Sequence, residues 1–331
     1  MNRKPCVAVF YGGYSAEREI SLKSGKVVYE HLSDEKFRKY LVDVREEGLF
    51  VQTDRGEVPL SLQPFGFGSE SGFVRFDVVF IAIHGTPGED GILQGMLDLL
   101  RIPYTTAGVL PMALTFSKAE CNAYLQKMGI AVPKGIYTTS MPSERDIERD
   151  LSYPVFVKPS RSGSSIGVSK VTDAAGLMPA FEKAYRIDRL VLIEEMVKGI
   201  EVSCGVSDVF GQVLAMETTE IVPAGEFFDY HAKYSGQSQE ITPARISREA
   251  SEFVKRTSEI VYKVLGLRGL VRIDYIVPEA GTPILIEINT VPGLSGQSIL
   301  PKQAQYLGIS LEELFDACIF SALKKNPQWS E

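Results

Sequence analysis

The sequence is poor in the residues that form disulfides and zinc sites. Its 331 residues include four cysteines, three histidines and one tryptophan. The cysteines stand far apart and mostly among apolar neighbours, so we expect buried thiols in a reducing compartment rather than disulfides or metal ligands. They are Cys6, Cys121, Cys204 and Cys318.

The sequence also lacks an excess of positive charge and any long apolar run. The formal net charge is -7, whereas proteins that bind nucleic acid usually carry a basic field, so no nucleic-acid partner is expected. The apolar run near the amino terminus is too short for a signal peptide, and no run is long enough to cross a bilayer. We therefore expect a cytoplasmic protein without a membrane partner, which leaves small charged substrates.

The amino-terminal part has the pattern of an open α/β sheet. Residues 6–11 form a short apolar run that ends at Gly12 and Gly13, which is typical of a strand buried on both faces of a parallel sheet. A helix should follow, with Ser15 as its N-cap. Two further strands and a helix are predicted over residues 40–44, 76–83 and 92–100.

Open α/β sheets bind ligands at the carboxyl ends of their strands, where the two glycines and His84 lie. Neither Gly-x-Gly-x-x-Gly nor Gly-x4-Gly-Lys-Ser/Thr occurs, which weakens a Rossmann or P-loop interpretation. His84 stands among glycines at a strand end, and this favours a functional role over a structural one. Glu17 is explained by the helix dipole alone, since acids are common in first turns.

A loop of small residues follows the next predicted strand. Residues 160–167 are rich in serine and glycine, with Lys158 just before them. Exposed backbone N–H groups, hydroxyls and a lysine suit phosphate binding, although such a loop is also a common flexible hairpin tip. Lys118 lies near the start of a predicted helix, where a single lysine usually faces solvent.

Two later stretches suit a nucleotide. Residues 189–201 form an apolar strand that ends in acids, so Glu194 would accept the amine of adenine and Glu201 the ribose hydroxyls. Either acid is also explained as an exposed carboxylate. Residues 221–242 combine glycine, aromatics and lysine in a pattern of neither helix nor strand, which indicates a lid or an ordinary surface loop anchored by its aromatics.

The most polar strands are predicted in a hairpin over residues 270–293. Because side chains alternate along a strand, Arg272 and Asp274 share one face of the first strand. Glu287 and Asn289 share one face of the second strand by the same rule. These four side chains are the candidate chemical centre.

The register of this hairpin follows from its turn. A turn at residues 279–282 would set Pro278 opposite Pro283, which places Asp274 opposite Glu287 and the arginine opposite the asparagine. Two facing carboxylates repel each other, and a hard cation such as Mg2+ or Mn2+ would remove the conflict through oxygen ligands. The alternative is a solvated outer face whose acids are neutralised by the arginine.

Six motifs follow one another in a fixed order. They are Gly-Gly-Tyr-Ser-Ala-Glu-Arg-Glu at 12–19, His-Gly-x-x-Gly-Glu-Asp-Gly at 84–91, Lys-Pro-Ser-x-x-Gly-Ser-Ser at 158–165, Phe-x-Asp-Tyr-x-x-Lys-Tyr at 227–234, Arg-Ile-Asp at 272–274 and Glu-x-Asn-Thr-x-Pro-Gly at 287–293. This set resembles the ATP-grasp ligases, and most closely the D-alanine–D-alanine ligase family, over nearly the whole chain.

The resemblance implies an α/β protein with the ATP-grasp fold. An N-terminal open α/β domain would span residues 1–103, a central small lobe residues 104–190, and a C-terminal lobe with the lid and metal site residues 191–331. ATP would be clasped between the two lobes. The residues implied are, for the phosphates, Lys118, Lys158, Ser164, Ser165 and Lys233; for adenine, Glu194 and Val197; for ribose, Glu201; and for two Mg2+ or Mn2+ ions, Asp274, Glu287 and Asn289.

The resemblance further implies ligation of two D-alanines through an acyl phosphate, for bacterial cell-wall synthesis, by a homodimer. The carboxylate of the first D-alanine attacks the γ-phosphate of ATP, and the amine of the second attacks the acyl phosphate. The residues implied are Glu17 and His84 at the first D-alanine, Ser298 and Ile299 at the carboxylate of the second, Ser164 and Tyr234 linked with Glu17 to close loop and lid, and Arg272 with the N–H of Gly293 at the oxyanion.

Several positions depart from the commonest family pattern. Phe228 stands where many relatives have Tyr, Asn122 where a second Lys is frequent, and Gln297 where His is frequent. A D-alanine–D-lactate or D-alanine–D-serine ligase is the nearest alternative; Tyr234 favours D-alanine, whereas His231 beside it is a reason for caution. The other alternative is a catalytically silent ATP-binding protein, against which the intact metal and oxyanion residues argue.

Overall fold

The structure is a computed structural model that describes residues 3–222 and 239–324. In these ranges it contains eighteen strands in four sheets, nine α-helices and one short 3-10 helix. No helix within the described ranges is both long enough and apolar enough to cross a membrane. Most of the predicted lid, with Phe228, His231, Lys233 and Tyr234, lies outside the described residues.

The amino-terminal part contains eight strands and the first four helices. The strands are β1 (Cys6–Gly12), β2 (Arg38–Arg45), β3 (Gly48–Thr53), β4 (Gly56–Pro59), β5 (Ser61–Leu62), β6 (Phe65–Ser69), β7 (Gly72–Arg75) and β8 (Val78–Ile81). The helices are α1 (Arg18–His31), α2 (Ile92–Leu100), α3 (Val109–Phe116) and α4 (Lys118–Lys127).

Strand β1 is an interior strand of a five-stranded sheet with the order β4-β3-β2-β1-β8. It pairs in parallel with β2 and β8, and all seven of its residues are buried. The apolar run over residues 6–11 therefore forms the doubly covered strand that its composition predicts. A three-stranded sheet, β5-β6-β7, adjoins it, and its strands were not anticipated from the sequence.

The start of α1 differs from the prediction. The N-cap position belongs to Glu17 and not to Ser15. The Ser15 hydroxyl is engaged elsewhere, since it donates to the His84 carbonyl at 2.9 Å and accepts the Glu17 N–H at 3.1 Å. It thus fixes the turn before the helix against the end of β8, and the prediction of Ser15 as N-cap was wrong.

The central part is a four-stranded antiparallel sheet with the order β11-β10-β12-β9. Its elements are β9 (Gly135–Thr138), α5 (Glu144–Asp150), β10 (Val155–Pro159), β11 (Ser169–Val171), the 3-10 helix Ala174–Gly176, α6 (Leu177–Tyr185) and β12 (Val191–Glu195). It has a hydrophobic core of its own, formed by β10 to β12 with α5 and α6. Because β12 belongs to this sheet, a boundary drawn by sheets would fall after residue 195 rather than at 190; the predicted domain limits remain predictions.

The carboxyl-terminal part is a six-stranded sheet with the order β16-β15-β13-β17-β18, and β14 pairs with β13. Its elements are β13 (Ile200–Ser207), β14 (Leu214–Ala215), β15 (Thr219–Val222), β16 (Gln239–Ile241), α7 (Arg248–Val264), β17 (Leu270–Val277), β18 (Ile284–Asn289), α8 (Ile299–Tyr306) and α9 (Leu311–Lys324). The largest hydrophobic cluster joins this sheet to the five-stranded one, so the ends of β8 and β18 come together.

The β17–β18 hairpin confirms the predicted register at its four polar residues. Asp274 pairs with Glu287, and Arg272 pairs with Asn289. Nearer the turn, Ile276 pairs with Ile284, which is one residue away from the pairing that opposing prolines would give. The difference arises because a β-bulge after Asp274 takes up one extra residue on β18.

Candidate active site

Two cavities meet at the β17–β18 hairpin. The first, of about 540 Å3, lies between the four-stranded and the six-stranded sheet. The second, of about 670 Å3, lies between the hairpin, α1, α8 and the end of β8. Lys118, Ser162 and Glu287 line both cavities. The arrangement suits two ligands that react with each other at the shared wall.

The first cavity brings together most of the residues that the sequence assigned to a nucleotide. Its walls are partly apolar, with Phe156 and Ile276 on facing sheets. The predicted residues found in its lining are Lys118, Lys158, Ser165, Glu194, Val197, Glu201, Asp274 and Glu287. An apolar slot with a few polar groups at one end is the common form of a cofactor pocket.

Glu194 is the most enclosed acid of this cavity, with 2% of its surface exposed. Its Oε1 accepts the Asn122 amide N–H at 2.9 Å, and its Oε2 forms an ion pair with Lys158. The interpretation of Glu194 as an exposed carboxylate was therefore wrong. Asn122, which departs from the common family pattern, is neutral, so it hydrogen-bonds this carboxylate without adding a second positive charge.

Lys118 links the two cavities. Its Nζ lies 3.0 Å from Glu287 Oε1 and donates to the Ser162 carbonyl at 2.6 Å. Burial lowers the pKa of Lys118, but the carboxylates of Glu287, Glu17 and Glu89 together outweigh it and raise the pKa overall. The lysine thus stays charged inside the site, contrary to the expectation that a lone helical lysine faces solvent.

The serine-rich loop after β10 adopts a strained, fixed conformation. Ser164 and Ser165 both have positive φ angles, 50° and 57°, which cost non-glycine residues free energy. The Ser164 hydroxyl donates to Glu17 Oε1, 147 residues away in sequence. Beside it, a Cβ on Gly163 would lie 2.7 Å from the Glu17 carboxyl carbon, so a larger residue there would displace this carboxylate.

His84 forms a buried network at the inner end of the second cavity. Its Nδ1 lies 2.7 Å from the Val291 carbonyl and its Nε2 lies 2.9 Å from the Ser24 hydroxyl. Since a carbonyl only accepts, Nδ1 carries the proton and Nε2 accepts from Ser24. Burial lowers the pKa of His84, and the nearby Glu17 carboxylate opposes that effect. The histidine is therefore neutral and locked in one tautomer.

Glu89 is a residue of this site to which the sequence analysis gave no role. Its carboxylate accepts the N–H groups of Gly85 at 2.7 Å and Val291 at 3.0 Å. Burial, reinforced by repulsion from Glu17, raises the pKa of Glu89 to about 7, while the two N–H donors lower it. Its place in the motif at residues 84–91 was the one available signal.

Asp274 is the centre of the hairpin's polar face. Its Oδ1 accepts from the Ser203 hydroxyl at 2.5 Å and Arg272 Nε at 2.9 Å. Its Oδ2 accepts from Arg272 Nη2 at 2.8 Å and Asn289 Nδ2 at 2.9 Å. Asp274 is only 6% exposed, so the alternative was wrong about a solvated face. Its other part is confirmed at this residue, because Arg272 forms an ion pair with Asp274.

The hairpin set fits a hard divalent cation by its chemistry. Asp274 and Glu287 face each other across the strands, and Asn289 adds an amide oxygen next to them. Oxygen donors in this number suit Mg2+ or Mn2+ with water or phosphate completing the shell. In the part of the chain that the structure describes, no three His, Cys, Asp or Glu side chains form a metal-binding group; the hairpin set contains two carboxylates and one amide.

The outer end of the second cavity is formed by the start of α8. Ser298 occupies the N-cap position and Ile299 is the first helical residue, and both line the cavity with Gln297. Gly293 lies against them, since a Cβ there would meet Ser298 Oγ at 2.7 Å. Backbone N–H groups at a helix start attract carboxylates.

The second cavity thus collects the remaining predicted residues. Those in its lining are Glu17, His84, Ser164, Arg272, Glu287, Asn289, Gly293, Ser298 and Ile299. The lining also contains two lysines to which sequence reasoning gave no role, Lys23 and Lys302, the second of which pairs with Glu240 at 3.0 Å. All described residues of the candidate site therefore line one cavity or both.

Comparison with known families gives the same class as the geometry. A nucleotide-sized cavity between two antiparallel α+β lobes, after an open α/β sheet, defines an ATP-grasp protein. A family model described as D-ala D-ala ligase C-terminus matches residues 125–320, and one described as D-ala D-ala ligase N-terminus matches residues 6–64 and 60–107. The chain belongs to the D-alanine–D-alanine ligase family.

Curated relatives match over nearly their whole length. The D-alanine–D-alanine ligase of Porphyromonas gingivalis is 40% identical over 327 residues, which cover 98% of this chain and 99% of the relative. That of Christiangramia forsetii is 42% identical over 325 residues, 97% of this chain and 99% of the relative.

Solved structures of similar fold include enzymes with different second substrates. The VanG D-Ala:D-Ser ligase of Enterococcus faecalis superposes with a TM-score of 0.87 at 31% identity, covering 97% of this chain and 100% of the other. The D-alanine–D-alanine ligase of Bacillus anthracis complexed with ATP gives 0.79 at 28% identity, with coverage of 98% and 99%.

Proposed function

We propose that this protein uses ATP to join two D-alanines into D-alanyl-D-alanine, through a D-alanyl phosphate, with release of ADP and phosphate. The observation that carries the proposal is the pair of cavities that share a wall at Lys118 and Glu287. One cavity has the size and lining for a nucleotide, and the other has ionic groups for small amino acids. The phosphoryl acceptor and the phosphoryl donor would meet at the shared wall.

ATP fits the first cavity with its adenine at the end lined by Val197 and its phosphates at the wall shared with the second cavity. The adenine lies between apolar walls near Val197, the ribose hydroxyls reach Glu201, and the phosphates point towards Lys118 and the serine loop. ATP bound to the Bacillus anthracis ligase supports this choice of nucleotide. The contact predicted for Lys233 remains part of the proposal.

Asp274, Glu287 and Asn289 would hold the divalent cations. When bound, Mg2+ or Mn2+ neutralises phosphate charge and acts as a Lewis acid in the transfer. Lys118 remains protonated at the same wall and supplies a further positive charge to the phosphates. Arg272, freed in part from Asp274, turns its donors towards the reacting carbonyl.

The amino acids bind in the second cavity. Glu17 accepts the ammonium group of the first D-alanine, and the neutral His84 fixes the loop near its carboxylate. The second D-alanine presents its carboxylate to the start of α8 at Ser298 and Ile299. The link of Ser164 to Glu17 closes this end of the cavity, and Tyr234 is proposed to complete that closure.

The amide forms when the amine of the second D-alanine attacks the acyl phosphate. Arg272 and the N–H of Gly293 stabilise the tetrahedral oxyanion, and one such donor is usually worth about 3 kcal/mol. The cavity must exclude water at this stage, since water would hydrolyse the acyl phosphate.

A homodimer is part of the proposal, and an exposed apolar face supports it. Four hydrophobic side chains on α2 and α3 are exposed, namely Ile92 (56%), Leu99 (85%), Val109 (42%) and Leu110 (75%). Exposed hydrophobic side chains on two neighbouring helices are typical of subunit contacts. Leu99→Glu should shift the protein to monomer in sedimentation velocity, whereas Leu62→Glu, elsewhere on the surface, should not; an unchanged sedimentation coefficient for both argues against this interface.

The decisive experiment is ADP release with ATP and Mg2+, with products identified by mass. D-alanine alone should support turnover and yield the dipeptide, while L-alanine should not, and removal of Mg2+ by chelation should stop the reaction until Mg2+ or Mn2+ is restored. If a depsipeptide dominates when D-lactate is added, or a mixed dipeptide when D-serine is added, the second substrate is D-lactate or D-serine rather than D-alanine. ATP binding without ADP release would favour a silent ATP-binding protein.

A further inference from the structure

One fully buried side-chain amide, on a helix packed against the six-stranded sheet, has no part in the reaction proposed above. Gln303 lies on α8 and is 0% exposed. Its Oε1 accepts the Gly205 N–H at 2.9 Å, and its Nε2 donates to the Ser203 carbonyl at 2.9 Å and the Thr219 hydroxyl at 3.0 Å. A buried amide with three partners fixes the position of the segment that carries it.

Strand β13 has a glycine where the side chain of Gln303 packs against it. A Cβ on Gly205 would lie 2.7 Å from Gln303 Oε1, so a larger residue would displace the amide. Gly205, Ser203 and Thr219 belong to adjacent strands β13 and β15, where Ser203 pairs with Thr219. Gln303 therefore attaches α8 to two strands at once.

The same strand holds the metal-site carboxylate. Ser203 pairs with Asp274 across β13 and β17, and its buried hydroxyl donates to Asp274 Oδ1 at 2.5 Å. Ser203 thus links the two residues, because its carbonyl accepts from Gln303 and its hydroxyl donates to Asp274. Outer partners of this kind orient a metal ligand, and their loss typically weakens metal binding about 10- to 100-fold.

The other end of this connection is the acceptor site. Helix α8 starts at Ile299, one turn before Gln303, and its first residues receive the carboxylate of the second D-alanine in the proposed function, on which this inference rests. We propose that Gln303 is a positioning residue that holds the start of α8 at a fixed place relative to Asp274. The distance between the acceptor substrate and the divalent cation is thereby fixed.

Three variants test this role. Gln303→Met keeps the size of the side chain and removes its hydrogen bonds, Ser203→Ala removes the donor to Asp274, and Gln305→Met alters an exposed glutamine of the same helix as the control. Wild-type turnover of D-alanine is measured first. Its absence rejects the proposed function without any variant.

Two readouts separate positioning from simple stabilisation. The first is the Mg2+ concentration for half-maximal ADP binding by calorimetry, which needs no turnover, and the second is the KM for the second D-alanine at saturating ATP. Gln303→Met should raise both about 3- to 10-fold, while the KM for ATP at saturating Mg2+ changes less than about 2-fold. Ser203→Ala should raise the Mg2+ requirement about 10-fold and leave the acceptor KM near the wild-type value.

The proposal is overturned if Gln303→Met only lowers the melting temperature, with both readouts equal to those of the Gln305→Met control. Should Gln303→Met fail to fold, Gln303→Glu replaces it, because it keeps the size and the acceptor for Gly205 and loses the donors to Ser203 and Thr219. A folded Gln303→Glu protein with both constants unshifted rejects the role, and the paired increase supports it.

Discussion

Strands β1 and β17 are interior strands of their sheets but contribute to the site in opposite ways. β1 is parallel to both neighbours and buried along its whole length, so the functional residues come after strand ends, as with Glu17 and His84. β17 is antiparallel to both neighbours, and its core face rests on α7, where Tyr275 contacts Ser258 at 2.9 Å. Its other face carries Arg272 and Asp274 into the cavities.

The difference follows from what covers each sheet. A strand such as β1, paired in parallel on both sides and buried along its whole length, leaves no room for polar side chains within it, so its chemistry is confined to the loop that follows. An antiparallel sheet with one open face places polar residues in mid-strand, at positions fixed by register. Changes within β1 should therefore affect stability, and changes within β17 should affect stability or chemistry according to the face.

The largest expected effect comes from the interior of β1. Phe10 is fully buried there, and Phe10→Ala should lower the free energy of unfolding by about 3–5 kcal/mol because of the cavity it leaves. The kcat per folded molecule should change less than about 2-fold. Urea unfolding and steady-state kinetics below the unfolding midpoint check this. A large change in KM for D-alanine would contradict the claim that the interior of β1 affects stability and not the site.

The open face of β17 should give the opposite result. Arg272→Met should lower kcat about 100- to 1000-fold, equivalent to about 3–4 kcal/mol, because it removes a donor to the oxyanion. The KM for ATP should stay within about 2-fold, since Arg272 does not line the nucleotide cavity. A kcat close to that of the wild type would remove Arg272 from the chemistry and leave it a structural partner of Asp274.

The free energy of unfolding should depend on pH through the Glu89 carboxyl, in the loop after β8. The pKa of Glu89 is raised from 4.5 to about 7, so between these values the unfolded chain ionises this carboxyl while the folded protein keeps it protonated. Its contribution to stability is therefore lost as the pH rises to about 7, by up to about 3 kcal/mol. In metal-free protein, Glu89→Gln should gain stability over wild type across this range and not above it; parallel pH curves from urea unfolding would contradict the shift.

The smallest effect is expected on the covered face of β17. Tyr275→Phe removes the hydroxyl that contacts Ser258 and should cost about 1 kcal/mol of unfolding free energy. The kcat should not change, in contrast to Arg272 three residues earlier on the open face. A loss of activity without a loss of stability would show that the two faces are coupled.

The sequence predicted the hairpin's faces and its register at Asp274 well because alternation is local. The faces of β17 and the pairing of Asp274 with Glu287 followed from period two and a turn. The bulge could not be foreseen, since the extra residue on β18 depends on how the two strands twist against their neighbours. Ser15 was assigned to a helix cap for the same local reason, and its hydroxyl instead binds the His84 carbonyl.

Sequence by itself determined the buried strand β1, the two strands of the β17–β18 hairpin and the residue types of the candidate site, because apolar periodicity and motifs are properties of short segments. Tertiary structure alone decided which distant segments meet: Ser164 with Glu17, His84 and Glu89 with Val291, and Gln303 with Ser203. The physical reason is that a buried polar group takes its partner from whatever segment packing brings beside it, and local sequence does not encode that neighbour.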